Sequence, residues 1–186
     1  MIRTGPILTE RLLLRRFFVE DAVAAYETWM SDSEVTHFLT WNAHRSSEES
    51  RKTIEVWTKE YAMGSLDWCI TLRNTGEPIG SITAVRDYPD RGWCELGYCI
   101  GQDYWDKGYM TEAVGAVTEY IFINFGYKFI QARHETENEA SGRVLEKSNF
   151  VETEKCVMLN PKSGLPVEYR IMRRYCPNYF RRMSWN

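Results

Sequence analysis

The sequence has 186 residues, of which 44% are apolar and 26% charged, and its formal net charge is −3. Those values describe a globular chain long enough for one domain, residues 1–186, with a sizeable core. They give no global electrostatic basis for nucleic-acid binding, and no apolar run approaches the ~20 residues that span a membrane. Residues 1–9 lack the apolar core of a signal peptide, so the expected location is cytoplasmic.

Residues 9–17 read as a first strand whose arginines form a solvated face. Residues 21–30 predict a short helix with Ala22, Ala25, Tyr26 and Trp29 on one side. Residues 31–45 have no period and carry His37, Phe38, Leu39 and Trp41, as a loop or short helical turn. Ser46-Ser47-Glu48-Glu49 has the hydroxyl cap and early carboxylates of a helix start. That helix extends to residue 62 through Ile54, Trp57 and Tyr61. Residues 66–73, 78–88 and 93–100 predict three strands separated by the turns Asn74-Thr75-Gly76-Glu77 and Pro89-Asp90-Arg91-Gly92. Short turns make them an antiparallel meander. Residues 111–125 place Ala113, Val117, Ile121 and Phe125 at helical spacing. A strand at 128–135, a helix at 138–148 and strands at 150–159 and 167–175 complete the chain.

This order implies an α+β fold, a mixed and mostly antiparallel sheet of about seven strands flanked by helices. The strands at 93–100 and 128–135 are joined through a helix and should run parallel. The five cysteines, Cys69, Cys94, Cys99, Cys156 and Cys176, include no CxxC and read as buried reduced thiols. A nucleophilic cysteine stays open as a second reading. His37, His44 and His134 have no metal-ligand spacing, so no metal is expected.

Between the strand at 93–100 and the helix at 111–125 lies a glycine-bearing loop. The first amides of a helix lack internal partners and carry the positive end of its dipole, so an anion can sit there. Gly108 allows a positive φ or a close backbone approach, and Lys107 adds a mobile charge. Neither GxGxxG nor GxxxxGK[ST] is present, which excludes the corresponding nucleotide fingerprints.

The run Trp105-Asp106-Lys107-Gly108-Tyr109-Met110 resembles the acyl-CoA loop of the GCN5-related N-acetyltransferases (GNAT), Gln/Arg-x-x-Gly-x-Gly/Ala, with only Gly108 matching strictly. Glu95-Leu96-Gly97-Tyr98 and residues 104–113 are similar to the ribosomal-protein N-acetyltransferase-like (RimJ/RimL-type) branch. That branch commonly opens with the Thr-Glu-Arg-Leu-x-Leu-Arg phrase found here at residues 9–15, and often has Gly in place of Asp106. The Asp106 charge then points away, caps the helix or lowers affinity. Asn138-Glu139-Ala140-Ser141 and the run from Val144 to Phe150 resemble a second family signature, Asn-x-x-Ser with a Glu-Lys-x-Gly-Phe ending; Asn149 replaces its Gly.

The resemblance implies the acyl-CoA N-acyltransferase fold, with two splayed parallel strands and acetyl-CoA as co-substrate. It places the cofactor arm against the main chain near Cys99 and Ile100, and the diphosphate on Trp105, Asp106, Lys107, Gly108, Tyr109, Met110 and Thr111. It also implies that Asn138 bonds the arm and that Ser141 lies near the thioester sulfur. Many members carry a thiolate-protonating Tyr where this chain has Leu145, which leaves Ser141 as the candidate donor, directly or through water. Asn138 as a plain helix cap and Ser141 as a first-turn hydroxyl are the competing structural readings.

An amine attacks a thioester only when neutral, and a free amine of pKa ~10 is mostly protonated at pH 7. General-base help is worth ~10²–10⁴-fold. Glu95 is the candidate base: its neighbours Trp93, Cys94, Leu96 and Tyr98 are apolar, so burial is expected to raise its pKa. Alternation puts it on one face with Trp93, Gly97 and Cys99. A salt-bridged Glu95 is the other reading. A main-chain N–H near Cys99 or Ile100 is the candidate oxyanion donor. Trp29, Phe38, Trp41, Trp68 and Arg86 are expected to wall an acceptor pocket suited to an amine, or else to belong to the core. Lys107 and Arg143 either meet phosphates or are solvated. The basic, aromatic tail at 170–182 reads as a nucleic-acid or acidic-partner contact, or more simply as an exposed strand and terminus.

The expected activity is acetyl transfer from acetyl-CoA to a protein N-terminus or small amine, in a ternary complex, by a monomer or homodimer. The alternative is a non-catalytic acyl-CoA-binding sensor or interaction module.

Overall fold

The computed structural model describes residues 3–177. Its strands are β1 (Ile7–Leu8), β2 (Leu12–Arg15), β3 (Asp67–Leu72), β4 (Pro78–Tyr88), β5 (Trp93–Ile100), β6 (Phe129–Glu135), β7 (Val151–Leu159) and β8 (Pro166–Tyr175). They form one sheet in the order β1-β2-β3-β4-β5-β6-β8-β7, in which only the β5–β6 pair is parallel. The eighth strand, absent from the sequence expectation, is the two-residue β1. It is separate because Thr9 turns the chain: its backbone N–H donates to Leu12 O, and its Oγ1 accepts from Leu12 N–H at 3.0 Å.

Helices lie on both faces: α1 (Ala22–Ala25), α2 (Ser33–Thr36), α3 (Ser47–Glu60), α4 (Tyr109–Phe125) and α5 (Glu139–Lys147). Residues 26–30 continue α1 as a π-helical turn closed by Ser31 N–H on Tyr26 O. Strand alternation separates two cores. Trp68 and Ile70 join Leu96, Ile130, Ala132 and the α4 stripe Ala113, Val117 and Ile121. Cys69 points the other way, to Phe17, Ala25, Trp29 and Ile54.

The feature that positions the site is where the parallel ladder stops. Its register runs from Trp93↔Phe129 to Leu96↔Ala132 and ends there. Beyond it β5 remains paired to β4 as far as Ile100, and β6 to β8 as far as Glu135, so the two central strands part. Helix α5 packs close to β6 at this end. A Cβ at Gly142 would stand 3.0 Å from His134 Cε1, so a larger residue fits only if the imidazole gives way by a few tenths of an ångström.

Helix α4 carries an internal control for packing. Ile121 is fully buried, whereas Ile123 is 79% exposed. Ile121→Ala is expected to lower the unfolding free energy by about 2–5 kcal/mol, and Ile123→Ala to change it by less than about 0.5 kcal/mol, as read from urea denaturation midpoints. Equal effects would mean that α4 does not face the sheet in this way.

Candidate active site

The loop leading into α4 is shaped by two left-handed residues, Asp106 at φ 56° and Gly108 at φ 78°. Asp tolerates that region better than most side chains because it is short and can bond locally, which explains why it can stand in a position suited to Gly. The Asp106 side chain is exposed. Gly108 is the N-cap of α4 and supplies no side-chain cap, so the first amides of the helix, at Tyr109, Met110 and Thr111, have no capping side chain. The helix starts two residues earlier than its apolar period suggests. Upstream, Trp105 Nε1 donates to Ile100 O at 2.9 Å and ties the loop to the end of β5.

The loop is braced from the N-terminal strand. Arg11 Nη1 donates to Lys107 O at 2.8 Å, Arg11 Nε reaches Glu112 Oε2 at 2.7 Å, and its guanidinium lies 4.4 Å from the Tyr109 ring centroid. Thr9 Oγ1 and the Arg11 backbone N–H both donate to Glu112 Oε1, at 2.6 and 2.9 Å. Arg11 is exposed, as its sequence position suggested, but its side chain is also tied down by these partners. Burial alone would raise the Glu112 pKa, but the bonds from Thr9 and Arg11 outweigh it and hold the carboxyl below the usual range.

Loop, strand end and helix starts enclose a cleft of about 440 Å³. Of the cofactor residues named from the sequence, Cys99, Ile100, Trp105, Asp106, Gly108, Tyr109, Met110, Thr111, Asn138 and Ser141 all line it. Lys107 does not; its Nζ lies 5.9 Å from the Tyr104 ring centroid. Arg143 lines the cleft while paired to Glu139 at 3.3 Å. Asn138 Oδ1 caps α5 by accepting from Ser141 N–H at 3.1 Å, and Leu145 is fully buried in the core.

Sequence reasoning missed Tyr98. Its hydroxyl lies 2.8 Å from Ser141 Oγ and 3.2 Å from Ser141 O, inside the cleft. Burial pushes this phenol well above its ordinary pKa, with the Ser141 bond pulling in the opposite direction. The signal was present in strand alternation, since Tyr98 shares its face with Leu96 and Ile100 and so looks toward α5. The Cys99 thiol is pushed up to about 11 by burial, against hydrogen bonds from Ser81.

Glu95 lies elsewhere, at the floor of a second depression of about 310 Å³ shared with Trp93 and Arg86. Its apolar sequence neighbours Cys94 and Leu96 face the opposite core, and its direct partners are polar side chains. Arg86 Nη1 stands 3.1 Å and Arg133 Nε 3.2 Å from its Oε1, and Gln131 Nε2 donates to Oε2 at 2.9 Å. The salt-bridged reading describes these contacts. A bulge at residue 85 sets Arg86 directly opposite Glu95.

The expected aromatic pocket divides. Phe38 lines the cleft, beside His37 and Leu39. Trp29 and Trp68 are fully buried core residues, which corrects their assignment to a pocket wall. Trp68 satisfies its Nε1 on Gly5 O at 2.9 Å. Trp41 packs against the second core with its ring 5.3 Å from His44. In the basic tail, Arg170, Arg173 and Arg174 bond Glu152, Gln131 and Glu119, and residues 178–186 lie outside the described part. Among the described residues no cluster of His, Cys, Asp or Glu could hold a metal ion, and no helix is long and apolar enough to cross a membrane.

A parted parallel strand pair beside an uncapped helix start is the arrangement that the sequence resemblance implies for an acyl-CoA N-acyltransferase fold. A family model described as the acetyltransferase (GNAT) domain matches residues 11–151, and the chain belongs to that family of acyltransferases. It is 33% identical to the uncharacterized N-acetyltransferase YoaA of Bacillus subtilis over 147 residues, 78% of this chain and 82% of that one. It is 30% identical to the uncharacterized N-acetyltransferase p20 of Bacillus licheniformis, over 77% and 81% of the two chains. Among solved structures, the GNAT-family acetyltransferase from Bacillus anthracis superposes with a TM-score of 0.80 at 24% identity, covering 92% of this chain and 98% of that one. RimL, a ribosomal L7/L12 alpha-N-protein acetyltransferase in complex with coenzyme A, gives 0.80 at 17% identity with the same coverage.

The brace makes a pH-dependent prediction. Because the Glu112 pKa is depressed on folding, its stabilisation is present above the unfolded value of ~4.3 and is lost as pH falls through the folded value. Glu112→Gln should speed hydrogen exchange at residues 106–110 about tenfold at pH 7, equivalent to about 1.4 kcal/mol of local opening for a half-exposed charge pair. Corrected for intrinsic rates, wild-type protection should fade below about pH 4.3 while that of the variant stays level. Unchanged exchange at pH 7 would show that the brace is not what orders the loop.

Proposed function

We propose that this protein transfers the acetyl group of acetyl-CoA to a primary amine, by direct attack in a ternary complex in the cytoplasm. The observation that carries this reading is the meeting, in one cleft, of the uncapped first amides of α4 with the β5 edge that β6 leaves beyond Leu96. Helix-start amides suit a diphosphate. A strand edge suits an extended arm that carries its own amides. The relatives that are N-acetyltransferases support the reaction class, and the likeness to RimL favours a protein N-terminus over a small amine.

Direct attack is favoured over a cysteine relay. Burial pushes the Cys99 thiol up to about 11, so it is held protonated at pH 7 and is a poor nucleophile. The amine nitrogen attacks the thioester carbonyl, the carbon–sulfur bond breaks, and the amine loses a proton as the thiolate gains one. Ser141 Oγ gives the proton to the sulfur and is resupplied by Tyr98, the role Leu145 cannot fill from the core. Glu95 takes the proton of the amine. Its oxygens accept two hydrogen bonds from Arg86 Nη1 and one from Gln131 Nε2, and a carboxylate has ~four lone-pair directions, so about one direction, the one that the Arg133 ion pair faces, is left for a further donor.

The crowding of Glu95 by Arg86 and Arg133 favours a second reading, a non-catalytic acyl-CoA-binding module. Release of coenzyme A thiol from acetyl-CoA across an amine panel separates the two. Turnover is expected, with Glu95→Gln slowing it most at low pH, where the amine most needs deprotonation, and leaving acetyl-CoA affinity nearly unchanged. Tight acetyl-CoA binding with no release for any amine would establish the module. Equal wild-type and variant activity across pH would remove Glu95 from the chemistry.

The donor assignment has its own test. Tyr98→Phe and Ser141→Ala should each lower kcat by ~10²-fold, the double variant should lose little more, and KM for acetyl-CoA should hold within about threefold. Additive losses would mean that the two hydroxyls do not act in series.

A further inference from the structure

We propose that the second depression receives the amine acceptor, and that this acceptor carries a carboxylate close to its amine. The inference rests on the acetyl-transfer reading above and narrows its substrate class. Three guanidinium groups, of Arg86, Arg133 and Arg173, and two carboxylates, of Glu95 and Glu154, line the depression. Glu95 is sunk at the floor with its side chain 4% exposed, while Arg86 above it is 45% exposed and Arg133 23% exposed. Glu154 is exposed on β7, at the rim. A molecule entering therefore meets guanidinium charge before it meets the buried carboxylate.

The floor is one connected network. Arg173 Nε donates to Gln131 Oε1 at 3.0 Å, and Gln131 Nε2 donates to Glu95 Oε2 at 2.9 Å, which also fixes the orientation of the amide. Arg86 and Arg133 close on Glu95 Oε1 from β4 and β6. The room left on Glu95 suits an amine, and the planar forks of the arginines suit a second carboxylate. An amine beside a carboxylate meets both with charge of the right sign. A polyamine or an aminoglycoside brings cationic groups against exposed guanidinium groups, a like-charge contact that selects against it. Tyr88 and Trp93, with ring centroids 4.5 Å apart, add an apolar wall for a side chain.

The depression also abuts the gap between the central strands. Glu95 precedes the last β5–β6 pair by one residue, and Arg133 is the first β6 residue beyond it. An amine held at Glu95 is thus placed beside the opening that leads to the cleft.

Matched acceptors test the sign of this recognition. Thiol release from acetyl-CoA is measured with phenylalanine against phenylalaninamide, and with C-terminally amidated tetrapeptides bearing Asp or Asn at the second position; spermidine and kanamycin serve as cationic acceptors. At least one carboxylate-bearing member is expected to exceed its neutral partner by tenfold or more in kcat/KM and to outpace both cationic acceptors. The arm that shows the preference identifies the source, free amino acid or acidic peptide. Arg86→Gln and Arg173→Gln should each shrink the ratio at least threefold while acetyl-CoA binding, measured by calorimetry, is retained. Parity, or faster transfer to amides or polycations, overturns the inference and leaves the acetyl-transfer reading standing. If no amine is turned over, that reading fails separately, and the same pairs are titrated against the Trp93 indole N–H resonance. Tenfold tighter binding of the carboxylate member, weakening with salt, then upholds the site, and equal binding overturns it.

Discussion

Backbone groups that leave a sheet need other partners, and this molecule sets that demand in the middle of its sheet, not at an edge. After Leu96 and Ala132 the two central strands part, each still held by its outer neighbour. An amide or carbonyl left buried and unmet costs about 1–3 kcal/mol, so the gap persists only because it opens to water or to something that can pair with it. Much else follows from that opening. Helix α5 leans on β6 at the glycine beside His134, which brings Asn138 and Ser141 to one side of the gap. The Tyr98 hydroxyl reaches Ser141 on that same side, while Glu95 and Arg133 look out on the other.

The entrance to α4 obeys a second constraint, the placement of charge around a helix end that attracts anions. Glu112 sits in the first turn, where its own carboxylate could compete with a ligand. Thr9 and Arg11 consume it instead, and Arg11 also holds the carbonyl of Lys107. What remains facing the cleft is the row of uncapped amides. Asp106 adopts a left-handed backbone and is exposed at the lining of the cleft.

The sequence disclosed the order of elements, the parallel central pair and the run from the end of β5 to the start of α4 that lines one side of the cleft, because helical period, turn chemistry and a helix start after a glycine are local signals. It misjudged what depends on register. Trp29 and Trp68 could have walled a pocket or joined the core, and the choice is decided by distant elements that cover them; both ended in cores. Glu95 was read against its chain neighbours, but its partners stand across strands on Arg86, Gln131 and Arg133, one of them set by a bulge that no period reports. Arg11 is solvated as expected, but its role as a brace was hidden for the same reason, since its partner lies 101 residues away.

The span matched by the family model begins at residue 11, but the fastening of the molecule does not. Thr9 secures Glu112, Gly5 receives the Trp68 indole, Thr4 bonds Ser65 O, and Arg3 engages Asp87 and Tyr127. A fragment trimmed to that starting residue would keep every residue that touches the cleft, and Arg11 with them, but lose the Thr9 bond that holds Glu112 and the ties of Arg3, Thr4 and Gly5 to the sheet. Chimeras that exchange this loop between relatives face the same rule: the first dozen residues have to travel with it.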